Sequence, residues 1–206
     1  MRILLFFSVF FLLMLILQSC KIQVVTEKSE QGILFSKYQQ FRKTKIKNGF
    51  YRLYHENGSL SMEMYYKNGK LHGEERSYHP NGQLQNIANS VMGSYEGPFK
   101  YWYATGTLYQ EGNYINNNIE GDLKTYYPNG ILKEIVFFSK SVENGPYTFY
   151  HQNAKLKEEG FFLNGPNLEG TIKQYNDEGL LIRKKQCEQG VCKTVWELDS
   201  LPVDKD

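Results

Sequence analysis

The side chains of this chain best suited to chemistry are its four histidines, its three cysteines and its neighbouring glutamates. His55, His79 and His151 occupy one position of a recurring pattern, each directly after an aromatic residue. Such a column invites a metal, but its spacing argues against one. His55 and His79 are 24 residues apart, which a strand–turn–strand–turn path converts into two strand spacings, or about 9.6 Å. A zinc–nitrogen bond is only about 2.0 Å long, so no metal site is expected. Glu74-Glu75 and Glu158-Glu159 are adjacent along the chain. On strands their side chains point to opposite faces, so neither pair makes an acid–base dyad. There is no Gly-x-Ser-x-Gly elbow, no His-Glu-x-x-His pair and no P-loop. No catalytic residue and no cofactor are expected, and the chain reads as a non-enzyme.

The cysteines carry more. Cys20 follows Leu17-Gln18-Ser19, at the end of an apolar run from Ile3 to Leu17 broken only by Ser8. The run is short for a membrane span of about 20 residues and has Arg2 before it, the layout of a secretion signal. The Leu-x-Ser-Cys sequence resembles a bacterial lipobox, in which the small Ser19 fits a peptidase pocket and the Cys20 thiol receives a diacylglycerol. Acyl chains contribute about 0.8 kcal/mol per buried CH₂, so two or three hold a protein at a bilayer surface without a spanning helix. The expected location is the bacterial cell envelope, lipid-anchored. In a Gram-negative cell it is the outer membrane, because no Asp follows Cys20. Cys187 and Cys192 are separated by Glu188-Gln189-Gly190-Val191, a segment able to turn. An exported compartment permits a disulfide there; the alternative is two free thiols.

Positioning these residues requires many short strands. The chain has 206 residues, 15% of them aromatic, with 18 Gly against 6 Pro and a net charge of +2. The near-neutral balance speaks against nucleic-acid binding, and a mean hydropathy of −0.53 excludes a multi-span membrane protein. Gly49, Gly73, Gly97, Gly121, Gly145 and Gly170 recur at intervals of 24 residues, 25 for the last. Five residues after each comes an aromatic: Tyr54, Tyr78, Trp102, Tyr126, Tyr150 and Tyr175. A second series, Gly58, Gly82, Gly106, Gly130, Ala154 and Gly179, is followed two residues later by Leu60, Leu84, Leu108, Leu132, Leu156 and Leu181. Internal repetition of this kind marks an array of identical supersecondary units.

Each unit reads as a β-hairpin. Asn57-Gly58, Asn81-Gly82 and Asn129-Gly130 stand between apolar runs, the signature of a type I′ turn. Ala154 breaches the pattern and predicts strain or another turn type. Return turns are expected at Asn68-Gly69, Asn118, Asn144-Gly145 and Asn164-Gly165. A two-residue turn at Asn57-Gly58 places Leu53 opposite Met62, Tyr51 opposite Met64 and Arg52 opposite Glu63; the same offset pairs Lys100 with Glu111. One face collects Tyr51, Leu53, Leu60, Met62, Met64 and Tyr66. The other carries a basic column, Arg52, Arg76, Lys100, Lys124 and Lys173, with Thr148 as the exception. That column is either a track for an anionic ligand or a solvated row paired with glutamates.

The units resemble a known family. Tyr-x₂-Asn-Gly-x-Leu recurs as Tyr54 to Leu60, Tyr78 to Leu84 and Tyr126 to Leu132, joined by linking pieces such as Tyr66-Lys67-Asn68-Gly69-Lys70-Leu71-His72-Gly73. This is similar to the bacterial variant of the MORN repeat, found in proteins described as YwqK-like antitoxins, from about Lys47 to Tyr175 with a worn sixth unit to Trp196. The resemblance implies an all-β fold: an elongated meander of antiparallel hairpins forming a single twisted sheet. Ser90 departs from it, standing where Tyr66, Tyr114, Phe138 and Phe162 stand in other units; a local groove or thin packing is expected there. The expected organisation is a signal peptide over 1–19, lipidated Cys and tether over 20–32, an N-terminal cap over 33–48, the repeat array over 49–196 and a tail over 197–206. The expected function is a protein- or polymer-binding scaffold. The alternatives are an antitoxin or immunity role, or binding of glycan or anionic lipid through Arg52, Arg76, Lys100, Lys124, Tyr54, Tyr78 and Trp102.

Overall fold

The structure is a computed structural model and describes residues 22–198. Cys20, the signal peptide expected over 1–19 and the end of the expected tail lie outside the described residues. The described residues form eighteen β-strands and no helix. The all-β, antiparallel meander expected from the sequence is what each of two compact units contains; the first ends at Ser94 and the second begins at Tyr95.

The first unit contains β1 (Ile22–Lys28), β2 (Leu34–Phe41), β3 (Lys47–Tyr54), β4 (Leu60–Lys67), β5 (Lys70–Leu71), β6 (Gly73–Tyr78) and β7 (Leu84–Val91). Each pairs antiparallel with its sequence neighbour, apart from β5 and β6, which both pair with β4. Residues 22–28, expected as a tether, are instead a paired strand. Ile22, Val24, Val25 and Thr26 are β-branched and supply the propensity. The two-residue strand β8 (Ser94–Tyr95) stands at the division. The second unit continues with β9 (Gly97–Trp102), β10 (Leu108–Ile115), β11 (Asn118–Ile119), β12 (Gly121–Tyr126), β13 (Leu132–Ser139), β14 (Val142–Tyr150), β15 (Leu156–Phe162), β16 (Leu168–Tyr175), β17 (Leu181–Glu188) and β18 (Val191–Glu197).

The register is the expected one. Leu53 faces Met62, Tyr51 faces Met64, Arg52 faces Glu63 and Lys100 faces Glu111. The turns are not. At the hairpin tips the Gly58 N–H donates to the His55 carbonyl and the His55 N–H to the Ser59 carbonyl. Only Gly58, with φ 82°, is left-handed there. That is a three-residue loop with a glycine bulge rather than a type I′ turn. Asn57 instead uses its side chain: Oδ1 accepts the Ser59 N–H at 2.9 Å. Asn81, Asn129 and Asn153 repeat this contact. The paired left-handed residues that define type I′ lie in the return turns, at Asn68-Gly69, Met92-Gly93, Asn116-Asn117, Lys140-Ser141, Asn164-Gly165 and Gln189-Gly190. Asn118 and Asn144-Gly145, expected as turns, are strand residues of β11 and β14.

The second unit has the more apolar interior. Val136, Tyr147, Ile172 and Cys187 are buried, with Phe138, Phe149, Phe162 and Leu168 packed against them. Two aromatics reach full burial by lying opposite a glycine, Phe99 (1% exposed) across from Gly112 and Tyr147 (2%) across from Gly160. A ring that covers a glycine gains the contact area the missing side chain leaves. The first unit buries Met64 and Ala88 but mostly polar groups: Ser36, Gln40, Glu75, Ser77, Asn86 and Ser90. Ser90 lies opposite Gly73 and its Oγ has no partner among the described residues. The missing aromatic is thus a thin, polar stretch of interior, not an open groove.

Candidate binding surface

The aromatic and leucine columns are partners across each hairpin neck. Tyr54 lies opposite Leu60, Tyr78 opposite Leu84, Trp102 opposite Leu108 and Tyr126 opposite Leu132, each at the register shift made by the bulge. Tyr54, Tyr78 and Trp102 are half-buried there. The residue after four of the neck aromatics joins one repeat to the next. His55 Nε2 donates to the Tyr78 carbonyl at 2.9 Å, and His151 Nε2 to the Tyr175 carbonyl at 3.0 Å. Tyr103 and Tyr127 do the same through their hydroxyls, to the Tyr126 and Tyr150 carbonyls, both at 2.9 Å. The histidine column is therefore a staple, which is why tyrosine substitutes for histidine in it.

A second staple went unread in the sequence. The residue before each first-series glycine accepts the backbone N–H of the residue 20 positions later, in the return turn. Asn48 takes Asn68, His72 takes Met92, Glu96 takes Asn116, Glu120 takes Lys140, Asn144 takes Asn164 and, in the last repeat, Glu169 takes Gln189. Residue identity varies in this column while acceptor capacity does not, so a search for repeated letters passes over it.

The basic column is paired. Arg52 donates from Nε and Nη2 to Glu63 Oε1 at 2.9 and 2.6 Å, and Arg76 pairs with Glu74. Lys100 bonds Glu111 at 3.0 Å, and Lys173 bonds Glu159 at 2.8 Å. Lys124 lies directly opposite Glu111. The hydrogen bond from Lys100, followed by that from Tyr126, holds the Glu111 carboxyl below its ordinary range. Burial, and then its bond to Glu111, pushes the Tyr126 hydroxyl up to about 12. Exposed pairs of this kind contribute about 0–1 kcal/mol each. They fix register and pair every cation of the column except Lys124, which shares Glu111 with Lys100.

Between repeats the strands part and leave shallow grooves on this charged face. One lies among Glu63, Tyr65, Glu74 and Arg76, with a volume of about 340 Å³. The equivalent site two repeats on includes Glu111, Asp122 and Lys124 and measures about 290 Å³. A third includes Glu159, Phe161, Glu169 and Lys173, about 480 Å³. Each mixes cations with carboxylates, one cation in the first and third and two, Lys100 and Lys124, in the second. Cys187 and Cys192 are disulfide-bonded across β17 and β18. Among the described residues no group of three or more His, Cys, Asp or Glu side chains is placed to hold a metal.

The model of the MORN repeat variant matches residues 47–68, 71–91, 95–116, 119–140 and 143–164, segments that start 24 residues apart. The chain belongs to this family. MORN repeats are generally binding modules. The strands from β16 to β18 extend the same pairing beyond the fifth matched MORN segment. No curated protein matches the chain. A chain of the solved crystal structure of TcdB2-TccC3-Cdc42 aligns with 84% of this one at 11% identity and a TM-score of 0.19. This chain spans 13% of that chain's length, and a score so low carries no argument.

Proposed function

We propose that this MORN-repeat protein is a non-catalytic lipoprotein of the bacterial cell envelope that binds a protein partner. The observation that carries the reading is the charged face, where the grooves set cations among carboxylates and the Tyr126 and Tyr175 hydroxyls bond two of those carboxylates, Glu111 and Glu159. Such a face matches a partner carrying both signs of charge, as protein surfaces do. Tyrosine and tryptophan supply contact area at low entropic cost, as at binding hot spots. The pairing of Arg52, Arg76, Lys100 and Lys173 with glutamates argues against a polyanion track, and so against anionic lipid as the ligand of this column. The anchor rests on the Leu17-Gln18-Ser19-Cys20 sequence, which points to lipidation of Cys20 and, in a Gram-negative cell, to the outer membrane.

The test is cross-linking in intact cells, capture of the tagged full chain and identification of what comes with it. One dominant protein, lost when Glu63, Glu111 and Glu159 are replaced by Lys, supports the reading. A partner toxic in the absence of this chain makes the role one of immunity. Recovery of no protein from cells that incorporate labelled palmitate at Cys20 overturns the protein-binding reading and shifts it to glycan. Absence of label, with Cys20→Ala behaving as wild type, overturns the anchor.

A further inference from the structure

The aromatic face of the first repeat holds a cation where the next three repeats hold uncharged side chains and the fifth holds Glu143. Lys47 is followed at 24-residue steps by Leu71, Tyr95 and Ile119. Lys47 and Tyr51 share one face of β3, two positions either side of Gly49. Tyr38 lies directly opposite Tyr51, and Tyr66 opposite Gly49. Three rings converge as a result. Lys47 Nζ stands 3.8 Å from the centroid of Tyr51, 5.2 Å from that of Tyr66 and 5.5 Å from that of Tyr38. All are inside the range of about 6 Å over which a ring face attracts a cation. The rings also brace one another: Tyr38 and Tyr51 stack at 5.2 Å, and Tyr66 meets Tyr51 edge-on at 5.8 Å.

Two carboxylates act on the rings, and Glu27 also feels the charge of Lys47. Glu27 Oε1 accepts the Tyr38 hydroxyl at 3.1 Å, and its Oε2 accepts the Ser36 hydroxyl at 2.6 Å. The buried Glu75 lies close enough to Tyr66 to act, after burial and Tyr51, in raising its hydroxyl pKa. Negative charge beyond the ring edges deepens the attraction of the faces for a cation. Lys47 itself takes part in no ion pair among the described residues. Its ammonium lies against ring faces, which accept hydrogen bonds poorly, on a half-buried side chain.

We infer that Tyr38, Tyr51 and Tyr66 form a binding cage for a quaternary ammonium group, with Lys47 as its tethered resident. The argument is one of hydration. A primary ammonium is a compact, strongly hydrated charge on a flexible stem, so it gives up much on entering and leaves readily. A trimethylammonium group has no N–H to satisfy and keeps the whole cation–ring attraction. Lys47 closes the cage in the free protein and lowers the apparent affinity by the fraction of time it is absent. The ligand chemistry is a trimethylammonium headgroup, carried by a free solute or by a lipid. The inference does not depend on the protein partner proposed above.

The experiment is an NMR titration of the full chain in maltoside micelles with tetramethylammonium chloride, against sodium chloride at equal ionic strength. The readout is the Lys47 ε-methylene resonance, displaced by the ring currents of three tyrosines. Saturable movement of that resonance to the position of exposed lysines is the expected result. Lys47→Met, which keeps the stem and removes the charge, is expected to bind about tenfold more tightly; adding Tyr51→Leu should abolish binding. A saturable response that survives Tyr51→Leu, or no response in both the wild type and a folded Lys47→Met chain, overturns the cage. Should Lys47→Met fail to fold, the wild-type titration alone decides. Phosphocholine and phosphatidylcholine vesicles, run as separate arms, distinguish a solute from a membrane source.

Discussion

At the scale of single residues, the hairpin tips turn on one left-handed position. Gly58, Gly82, Gly106, Gly130 and Gly179 occupy it with φ between 82 and 87°, and Ala154 is forced to 67° in the same turn. The Ala154 N–H still donates to the His151 carbonyl at 3.0 Å. Of the two outcomes its sequence allowed, strain is the one realised. A left-handed conformation costs an L-residue roughly 1–2 kcal/mol, partly offset by the greater chain entropy glycine carries when unfolded. Ala154→Gly is therefore expected to stabilise the chain by about 0.5–1 kcal/mol, raising the urea midpoint; a lowered midpoint would mean the turn is misassigned. The inter-repeat staples act at the same scale. Tyr127→Phe removes the hydroxyl bonded to the Tyr150 carbonyl at 2.9 Å and should cost about 1 kcal/mol. An unchanged midpoint would show that water replaces the bond without loss.

At the scale of strands and hairpins, close approach decides what a position tolerates. A Cβ added at Gly160 would collide with Ile172 Cδ1 and come within 2.8 Å of Tyr147 Cε1. Both neighbours are buried side chains that have no room to retreat. Gly160→Ala should destabilise by about 1–3 kcal/mol, whereas the same change at Gly112 meets the Phe99 and Leu123 side chains and tests whether the cost follows the pattern. The cross-strand ion pairs add a pH dependence. Hydrogen bonds from Lys100 and from Lys173 hold Glu111 and Glu159 below the ordinary 4.5. Groups depressed in this way add stability that is present above the unfolded value and is lost as pH falls through the folded one. The double variant Glu111→Gln, Glu159→Gln should lose less melting temperature between about pH 6 and pH 3 than the wild type; an equal loss would assign acid sensitivity elsewhere. Register was legible from the sequence even though the turn was not, and the two facts have one cause. A three-residue loop with a bulge absorbs one residue at the neck, where Tyr54 meets Leu60. Beyond it, the pairing is the one a two-residue turn produces. The acceptor column from Asn48 to Glu169 was illegible because Asn, His and Glu share a function and not a letter. The cage at Lys47 was illegible because it depends on side-chain direction.

At the scale of the whole molecule, a repeat array is held by neighbours alone, so its stability is local and its ends are its weakest parts. The carboxyl-terminal strand shows what this means. β18 pairs with β17 only, and Val191, Val195 and Trp196 are exposed along it. Beyond its ladder and the Arg183–Glu197 pair, it is tied to the interior through Cys187, which is buried against Tyr147 and Ile172 and bonded to Cys192 across the strand pair. The bond closes a short loop, five residues from one cysteine to the other, so its entropic contribution is modest, about 2 kcal/mol. In a fold with one cooperative core that increment would spread over every residue. Here it should not. Reduction is expected to speed amide hydrogen exchange in β17 and β18 while β10 to β13 keep their protection, read by mass spectrometry with and without reductant. Uniform acceleration across the second unit would show instead that its repeats unfold as one, and the nearest-neighbour account would have to be abandoned.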